Sequence, residues 1–380
     1  MISRLGLKPL FDRTTFLVGA GASMDAGCLS SKAMLRALQN SIRREAASGN
    51  NVEFSAIYDF ILQSLIYQRS LKGDLDAKIS DLANVEDFVA VLRQMLDREY
   101  IVPAPLVGNW NSRITGWEQK NAFVFRQFLD FTSQCLLDEW TRFDEAKARA
   151  LLQPLRTLVE VAENFTCSLF SLNYDLIFET VFNSDKEQLL DTGFSQKRWT
   201  GDFTDPNSSA KLKLYKLHGS SDWYFDESEE EVKQGRPDGV KPLIVFGSGP
   251  KLQSFDPFLS MLASFRESLK QATLFVVIGY SFQDKYINNI LIQSLNSTLN
   301  KKMLVVDPYV DDDKMKFVQG VERFQTVRSL SELVSLTKVS PARIALCKMS
   351  AKEFIAAYFG NEASRLNEEL TAAERGDQIF

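Results

Sequence analysis

At 380 residues the chain is too long for one small module and too short for a long repeat array, so one large domain with a substantial insertion is expected. Hydrophobic residues make up 45% and charged residues 24%, a balance that supports a packed core and excludes a largely disordered chain. The 44 Lys and Arg are outnumbered by 49 Asp and Glu, and this net charge of −5 excludes a global basic field, so nucleic acid is expected to bear on the protein only indirectly.

Met1 to Leu10 carries basic residues but no apolar signal core, and the most apolar later run, Leu274 to Ile278, is far shorter than a bilayer span. A cytoplasmic protein without a membrane partner is expected. Cys28, Cys135, Cys167 and Cys347 form no C-x-x-C pair, and His218 is the only histidine. No metal site is expected, and the four thiols read as reduced packing residues.

In chain order, the β-branched and apolar run Thr14–Val18 predicts a strand that stops at Gly19-Ala20-Gly21. A helix follows over Ser30–Arg44. From there to about Asn164 the periodicity is helical, as at Val85, Phe88, Val89, Leu92, Met95 and Leu96. Strand signals return at Cys167–Leu172, followed by a helix through Ile177–Val181. Further strands are expected at Lys213–Leu217 and Pro242–Phe246. A helix at Phe258–Lys270, a strand at Leu274–Ile278, a helix at Tyr286–Leu295 and a strand at Met303–Val306 come next. After about Ser329 a short helix, a strand at Arg343–Leu346 and a helical tail over Phe354–Leu370 complete the chain. The acidic run Asp226–Glu231 reads as an exposed loop.

Strands alternating with helices predict the α/β class, a Rossmann-like parallel sheet covered on both faces, with a helical insertion domain. Residues 1–39 and 165–330 are assigned to the sheet domain, 40–164 to the insertion and 331–380 to a C-terminal extension.

The turn Gly19–Gly27 suits close approach of backbone amides to a phosphate, but Met24 stands where the third glycine of G-x-G-x-x-G would be. A turn needed only for tight strand–helix packing is the competing reading. Asn173-Tyr174-Asp175 and His218-Gly219 each end a strand, where ligands of open α/β sheets bind. Asn173 or Asp175 also suits a helix cap, and a lone histidine is usually structural. Gly279–Asp284 and Asp307-Pro308 end the next two strands, and Ser281 and Asp284 suit caps equally well.

Gly-Ala-Gly-Ala-Ser-x-x-x-Gly at Gly19–Gly27, Leu-Asn-Tyr-Asp at Leu172–Asp175, Leu-His-Gly-Ser at Leu217–Ser220 and Ile-Gly-Tyr-Ser-Phe-x-Asp at Ile278–Asp284 occur in the order that resembles the sirtuin-like family, over most of Thr14–Pro308. The variants Asn-Tyr-Asp and Gly-Tyr-Ser-Phe-x-Asp look closer to the sirtuin-like NAD hydrolases of bacterial antiphage defence than to protein deacylases. Gly27 is followed by Cys28-Leu29-Ser30-Ser31 rather than Pro-Asp-Phe-Arg, and a four-cysteine zinc module is missing.

The resemblance implies that Asn173 and His218 do chemistry on NAD, which is substrate as well as ligand. It implies that Gly19, Ala20, Gly21, Ala22, Ser23, Gly27, Asp175, Gly219, Gly279, Tyr280, Ser281, Asp284 and Asp307 hold the dinucleotide. The products would be ADP-ribose and nicotinamide. It also implies a homo-oligomer and a trigger in trans, such as a HerA-type hexameric ATPase, because the chain has no P-loop of its own. The alternatives are an NAD-dependent protein deacylase and a noncatalytic subunit that senses NAD or ADP-ribose within an ATPase or nuclease complex.

Overall fold

The computed structural model describes residues 13–71, 85–97, 110–121, 123–161, 166–183, 189–201, 203, 210–245, 255–282, 284–309 and 343–360, and the structural statements below concern these. Strand β1 (Thr14–Val18) buries all five side chains, as a strand covered on both faces must. It runs into a four-residue helix α1 (Ala20–Ser23) and a 3-10 turn, Met24–Ala26. The chain divides into two units, one of Met1–Cys28, Phe143–Val245 and Leu252–Phe380, the other of Leu29–Arg142 and Phe246–Lys251.

Among its described residues the second unit is helical, with α2 (Ser31–Ala47), α3 (Glu53–Leu71), α4 (Val85–Asp97), α5 (Trp110–Lys120) and α6 (Val124–Trp140). The periodic apolar positions Val85, Phe88, Val89 and Leu92 are all fully buried. Phe54 against Phe128, at 4.9 Å between ring centroids, and Tyr58 against Phe88, at 5.1 Å, form the centre of this core.

The first unit continues with α7 (Glu145–Val161), β2 (Cys167–Ser171), α8 (Ile177–Phe182), β3 (Leu190–Asp191), β4 (Phe194–Ser195), β5 (Arg198–Trp199), β6 (Leu212–Lys216), β7 (Trp223–Asp226) and β8 (Glu231–Gln234). It closes with α9 (Phe258–Gln271), β9 (Leu274–Ile278), α10 (Lys285–Ser297), β10 (Lys302–Val306), β11 (Ile344–Cys347) and α11 (Ala351–Phe359). Seven of these strands form a parallel sheet in the order β11-β10-β9-β1-β2-β6-β3. The chain builds outward from β1 through β2 and β6, then returns to the other side of β1 through β9, β10 and β11. The direction of winding therefore reverses between β1 and β9, which is the switch point of a doubly wound α/β sheet.

Alternation of side chains along the strands creates two cores. Phe16, Val18, Leu169 and Ile278 face one side, where Leu151, Leu152, Leu155 and Leu158 of α7 and Phe354, Tyr358 and Phe359 of α11 cover them. Leu17, Phe170 and Val277 face the other, under α9 and α10. The periodicity of α7, grouped with the helical insertion on sequence grounds, gives no sign of its partner, and its apolar stripe belongs to the sheet.

Two sequence expectations are corrected. Pro242–Phe246 is not a strand of the sheet; among its described residues only Ile244 pairs, in an isolated antiparallel bridge to Gly219. Proline cannot donate to a ladder, and a five-residue apolar run is too short to reveal this. The acidic run is not simply a loop, because its ends belong to β7 and β8 of a four-stranded antiparallel sheet, β4-β5-β8-β7. Lys233 gathers Asp226 at 2.7 Å, Glu229 at 3.0 Å and Glu231 at 3.4 Å, so the carboxylates are neutralised within the hairpin. A run of like charges carries no apolar period and so conceals the strand ends.

The C-terminal helix α11 starts with a capping box in which Ser350 accepts from the Glu353 amide and Glu353 accepts from the Ser350 amide. The expected tail beyond Gly360 and the short helix near Ser329 lie outside the described residues. None of the described helices is long and apolar enough to cross a membrane. Phe16 is fully buried, with ring centroids 5.6 Å from Tyr358 and 5.5 Å from Phe359. Phe16→Ala is expected to destabilise the sheet unit by about 3–5 kcal/mol, measured by denaturant unfolding.

Candidate functional site

One register row runs across five strands: Val18 pairs with Ser171 and Ile278, Ser171 with Lys216, and Ile278 with Val306. The residues immediately beyond this row are therefore the carboxyl ends of β1, β2, β6, β9 and β10. Gly19, Asn173, His218, Gly279 and Asp307 all fall one or two positions past it. Parallel pairing thus gathers the separate sequence motifs at one sheet edge, around the switch point.

At the centre of that edge the turns after β1 and β9 touch through backbone alone. The Gly19 amide donates to Ile278 O at 2.9 Å, and the Gly21 amide to Gly279 O at 2.8 Å. A Cβ on Gly19 would lie 2.7 Å from Gly279 O, one on Gly21 2.8 Å from Gly279 Cα, and one on Gly279 2.2 Å from the Ala22 nitrogen. Gly279 also has φ +62. Close packing of the two turns is thus enough to require these three glycines. Gly27 serves differently, closing the 3-10 turn with φ 100 and donating to Met24 O. Ala20 is exposed and Ala22 buried.

Asn173 is buried and its amide orientation is dictated by its neighbours. Its Nδ2 donates to the Gly19 carbonyl at 3.0 Å and to Ser23 Oγ at 2.8 Å. A carbonyl only accepts, so nitrogen must face it. Ser23 Oγ in turn donates to Asp175 Oδ2 at 2.6 Å. Asp175 Oδ1 accepts from the Ile177 amide at 3.2 Å at the start of α8. The chain amide to hydroxyl to carboxylate has one direction, and both Nδ2 hydrogens are committed to it. Only the Asn173 carbonyl oxygen remains to serve a ligand, as an acceptor. Asp175 is both the turn partner of α8 and the anchor of this relay.

His218 is also buried, and its Nε2 lies 3.0 Å from Asp284 Oδ2. The other carboxylate oxygen of Asp284 caps α10, accepting from the Tyr286 amide at 2.8 Å and the Ile287 amide at 3.2 Å. A helix terminus therefore fixes the carboxylate that faces the imidazole. The Tyr280 hydroxyl donates to Asn288 Oδ1 at 2.8 Å, and Asn288 Nδ2 donates to Phe282 O at 2.8 Å, bracing the same corner. Gly219 has φ +85, and a Cβ there would meet Leu243 O at 2.2 Å. Ser281 is half-buried beside these groups. Asp307 closes the turn after β10 by accepting from the Tyr309 amide at 2.8 Å.

Sequence reasoning gave no role to four residues here: Lys216, Glu179, Asn288 and Ser220, the last of which stands in the Leu-His-Gly-Ser block. Lys216 is 2% exposed, and Nζ donates to Asp175 O, to Glu179 Oε1 at 3.0 Å and to Ser220 Oγ at 3.0 Å. A lysine that ends the strand at the same edge as His218 was the available signal, although Lys213 in the same strand weakens it. Burial pushes the Glu179 carboxyl above the usual carboxylate range against the pull of Lys216.

Among the described residues no group of three His, Cys, Asp or Glu side chains could hold a metal ion. All four cysteines are free, and burial pushes the Cys28 thiol up to about 12, with Asp175 adding to the rise. An apolar pocket between the sheet, α7, α8 and α11 reaches this edge only at Ala22 and Ser23.

The fold and edge define a doubly wound α/β protein with polar side chains gathered at its switch point. A family model described as a SIR2-like domain matches residues 168–322, less than half of the chain. The chain is similar to a solved Sir2 homologue mutant in complex with 2'-O-acetyl ADP-ribose, at 11% identity, TM-score 0.42 and 98% coverage of both chains. It is also similar to a Sir2 homologue–NAD complex, at 11% identity, TM-score 0.40 and coverage of 96% of this chain and 94% of the other. A further similarity is to Sir2Tm bound to a propionylated peptide, at 12% identity and TM-score 0.36, with 94% and 97% covered. No curated protein matches the chain.

Two outcomes follow from the geometry. Gly279→Ala is expected to lower stability by more than about 2 kcal/mol, read as the shift in thermal midpoint, because a left-handed turn and a 2.2 Å approach would both have to give. For Glu179, a raised carboxyl pKa means that the folded state binds more protons than the unfolded one above the ordinary carboxylate range. Wild-type stability should therefore fall relative to Glu179→Gln as pH rises from about 4 towards neutrality. Paired urea titrations at several pH values check the sign.

Proposed function

We propose that this protein hydrolyses NAD to ADP-ribose and nicotinamide. The observation that carries the reading is the alignment of Asn173 and His218, each two positions beyond the paired Ser171 and Lys216, with the Asn173 amide held so that its oxygen is the end offered to a ligand. The sequence blocks similar to the sirtuin-like family and the SIR2-like match over 168–322 support NAD as the substrate.

The nicotinamide of NAD is already a good leaving group, since the ring is cationic while bound and neutral when released. The protein must hold the ribose and stabilise an oxocarbenium-like transition state. In this reading the dinucleotide lies over the Gly19–Ser23 turn, with Gly219, Gly279, Ser281 and Asp307 around the edge. The ribose–nicotinamide bond breaks, and its electron pair leaves with the ring nitrogen. The Asn173 carbonyl accepts from the attacking water or a ribose hydroxyl, and His218 receives the proton. Asp284 orients the imidazole and stabilises its protonated form, and the carboxylates Asp175 and Asp284 favour the cationic transition state electrostatically.

The biological part of the proposal is depletion of NAD in antiphage defence, gated by assembly of the chain with itself or with a HerA-type hexameric ATPase. It is supported by the resemblance of the sequence blocks to that branch and by the departures from the deacylase pattern after Gly27.

The test is to incubate purified protein with NAD, alone and with the ATPase encoded beside it where there is one, and quantify nicotinamide and ADP-ribose. His218→Ala and Asn173→Ala should each lower turnover at least about 100-fold, while calorimetry finds NAD still bound. Full activity in His218→Ala would overturn the assignment. Nicotinamide release that requires an acyl-lysine peptide would make the protein a deacylase, and bound but unchanged NAD would make it a sensor.

A further inference from the structure

The two segments that carry Asn173 and His218 are joined beneath the sheet edge by a buried cation. Lys216 is the last residue of β6, and its three ammonium hydrogens are matched by three acceptors. One is the carbonyl of Asp175, two residues after Asn173. The second is the hydroxyl of Ser220, two residues after His218, at 3.0 Å. The third is the carboxylate of Glu179 on α8, the helix that Asp175 starts, at 3.0 Å. A second link runs beside it, from the Ser221 amide to the Tyr174 carbonyl at 3.1 Å.

Nothing in the strand itself calls for this lysine. The backbone ladder of β2 and β6 is complete without it, and a leucine or methionine would fill a position that is 2% exposed without the cost of burying charge. A buried ammonium is tolerated only where its partners are held in place, so it penalises every arrangement in which the two segments separate. The Glu179 carboxylate completes the set, since without it the ammonium would be left with one unmatched hydrogen.

We propose that Lys216 is a positioning residue that sets the spacing of Asn173 and His218 by tying Asp175 to Ser220. This rests on the NAD hydrolase reading. The tie touches neither substrate nor reacting atoms, so it acts on turnover rather than on affinity. A 1 Å error in the relative placement of two reacting groups is enough to cost about 100-fold in rate.

Three proteins test it: wild type, Lys216→Met/Glu179→Gln, which removes both members of the buried pair, and Ser220→Ala, which cuts one end of the tie and leaves the pair intact. Circular dichroism and thermal midpoints establish that each is folded. The double variant is expected to lose at least about tenfold in kcat with KM for NAD changed less than about threefold, and Ser220→Ala to lose a smaller factor in the same sense. A folded double variant with wild-type kcat, or one that loses NAD affinity at unchanged kcat, overturns the proposal. If the double variant does not fold, the kcat of Ser220→Ala decides.

Failure of the hydrolase reading is distinguishable, because wild type would then release no nicotinamide. The placement of His218 can still be read, since it is the only imidazole in the chain and gives a single Cε1–H resonance. Movement of that resonance in the two variants supports the tie, and coincidence with wild type overturns it.

Discussion

Two backbone turns, one leaving β1 and one leaving β9, lie against each other with no side chain between them. This approach sets how the central strands end, and it is available only because Gly19, Gly21 and Gly279 carry no Cβ. The Gly19 carbonyl is then presented to Asn173, and the Gly279 turn leads through Phe282, at positive φ, to the Asp284 cap. Both polar corners of the site are thus suspended from one contact. A glycine-rich turn at a strand end is commonly read as a phosphate cradle, but here the packing of two turns already accounts for the glycines.

Polar satisfaction decides the rest of the site. Asn173, Ser23 and Asp175 form a chain whose direction follows from what each group is able to donate, and this converts a flexible amide into an oriented acceptor. Asp284 divides its two oxygens between a helix terminus and an imidazole, so the rigidity of α10 is transmitted to His218. Lys216 joins the two segments from below. These groups are buried charges and dipoles whose placement is enforced by the energetic cost of leaving any of them unmatched.

Much of this was legible in advance. The runs at Thr14–Val18, Cys167–Leu172, Leu274–Ile278 and Met303–Val306 stand out in the sequence because parallel strands buried on both faces read as short apolar stretches. The motif order brought Gly19, Asn173, His218 and Gly279 under suspicion, since each directly follows an expected strand. The short strands β3, β4, β5, β7 and β8 were missed because two- to four-residue segments carry too little period, and in β8 charged side chains hide it. Helix α7 was visible as a helix but not as a cover for the sheet, because amphipathic periodicity names a buried face without naming what covers it.

The sequence by itself determined the α/β class, the sheet strands with a strong apolar signal and the polar residues that follow them, because these depend on local composition and period. Only the tertiary structure decided the roles within the site. That Ser23 orients Asn173, that Asp284 faces His218 rather than only capping a helix, and that Lys216 reaches Asp175 are facts of register and close approach between residues 41 to 150 positions apart. No local pattern encodes them, because each arises from the requirement that a buried donor meet an acceptor delivered by a different strand end.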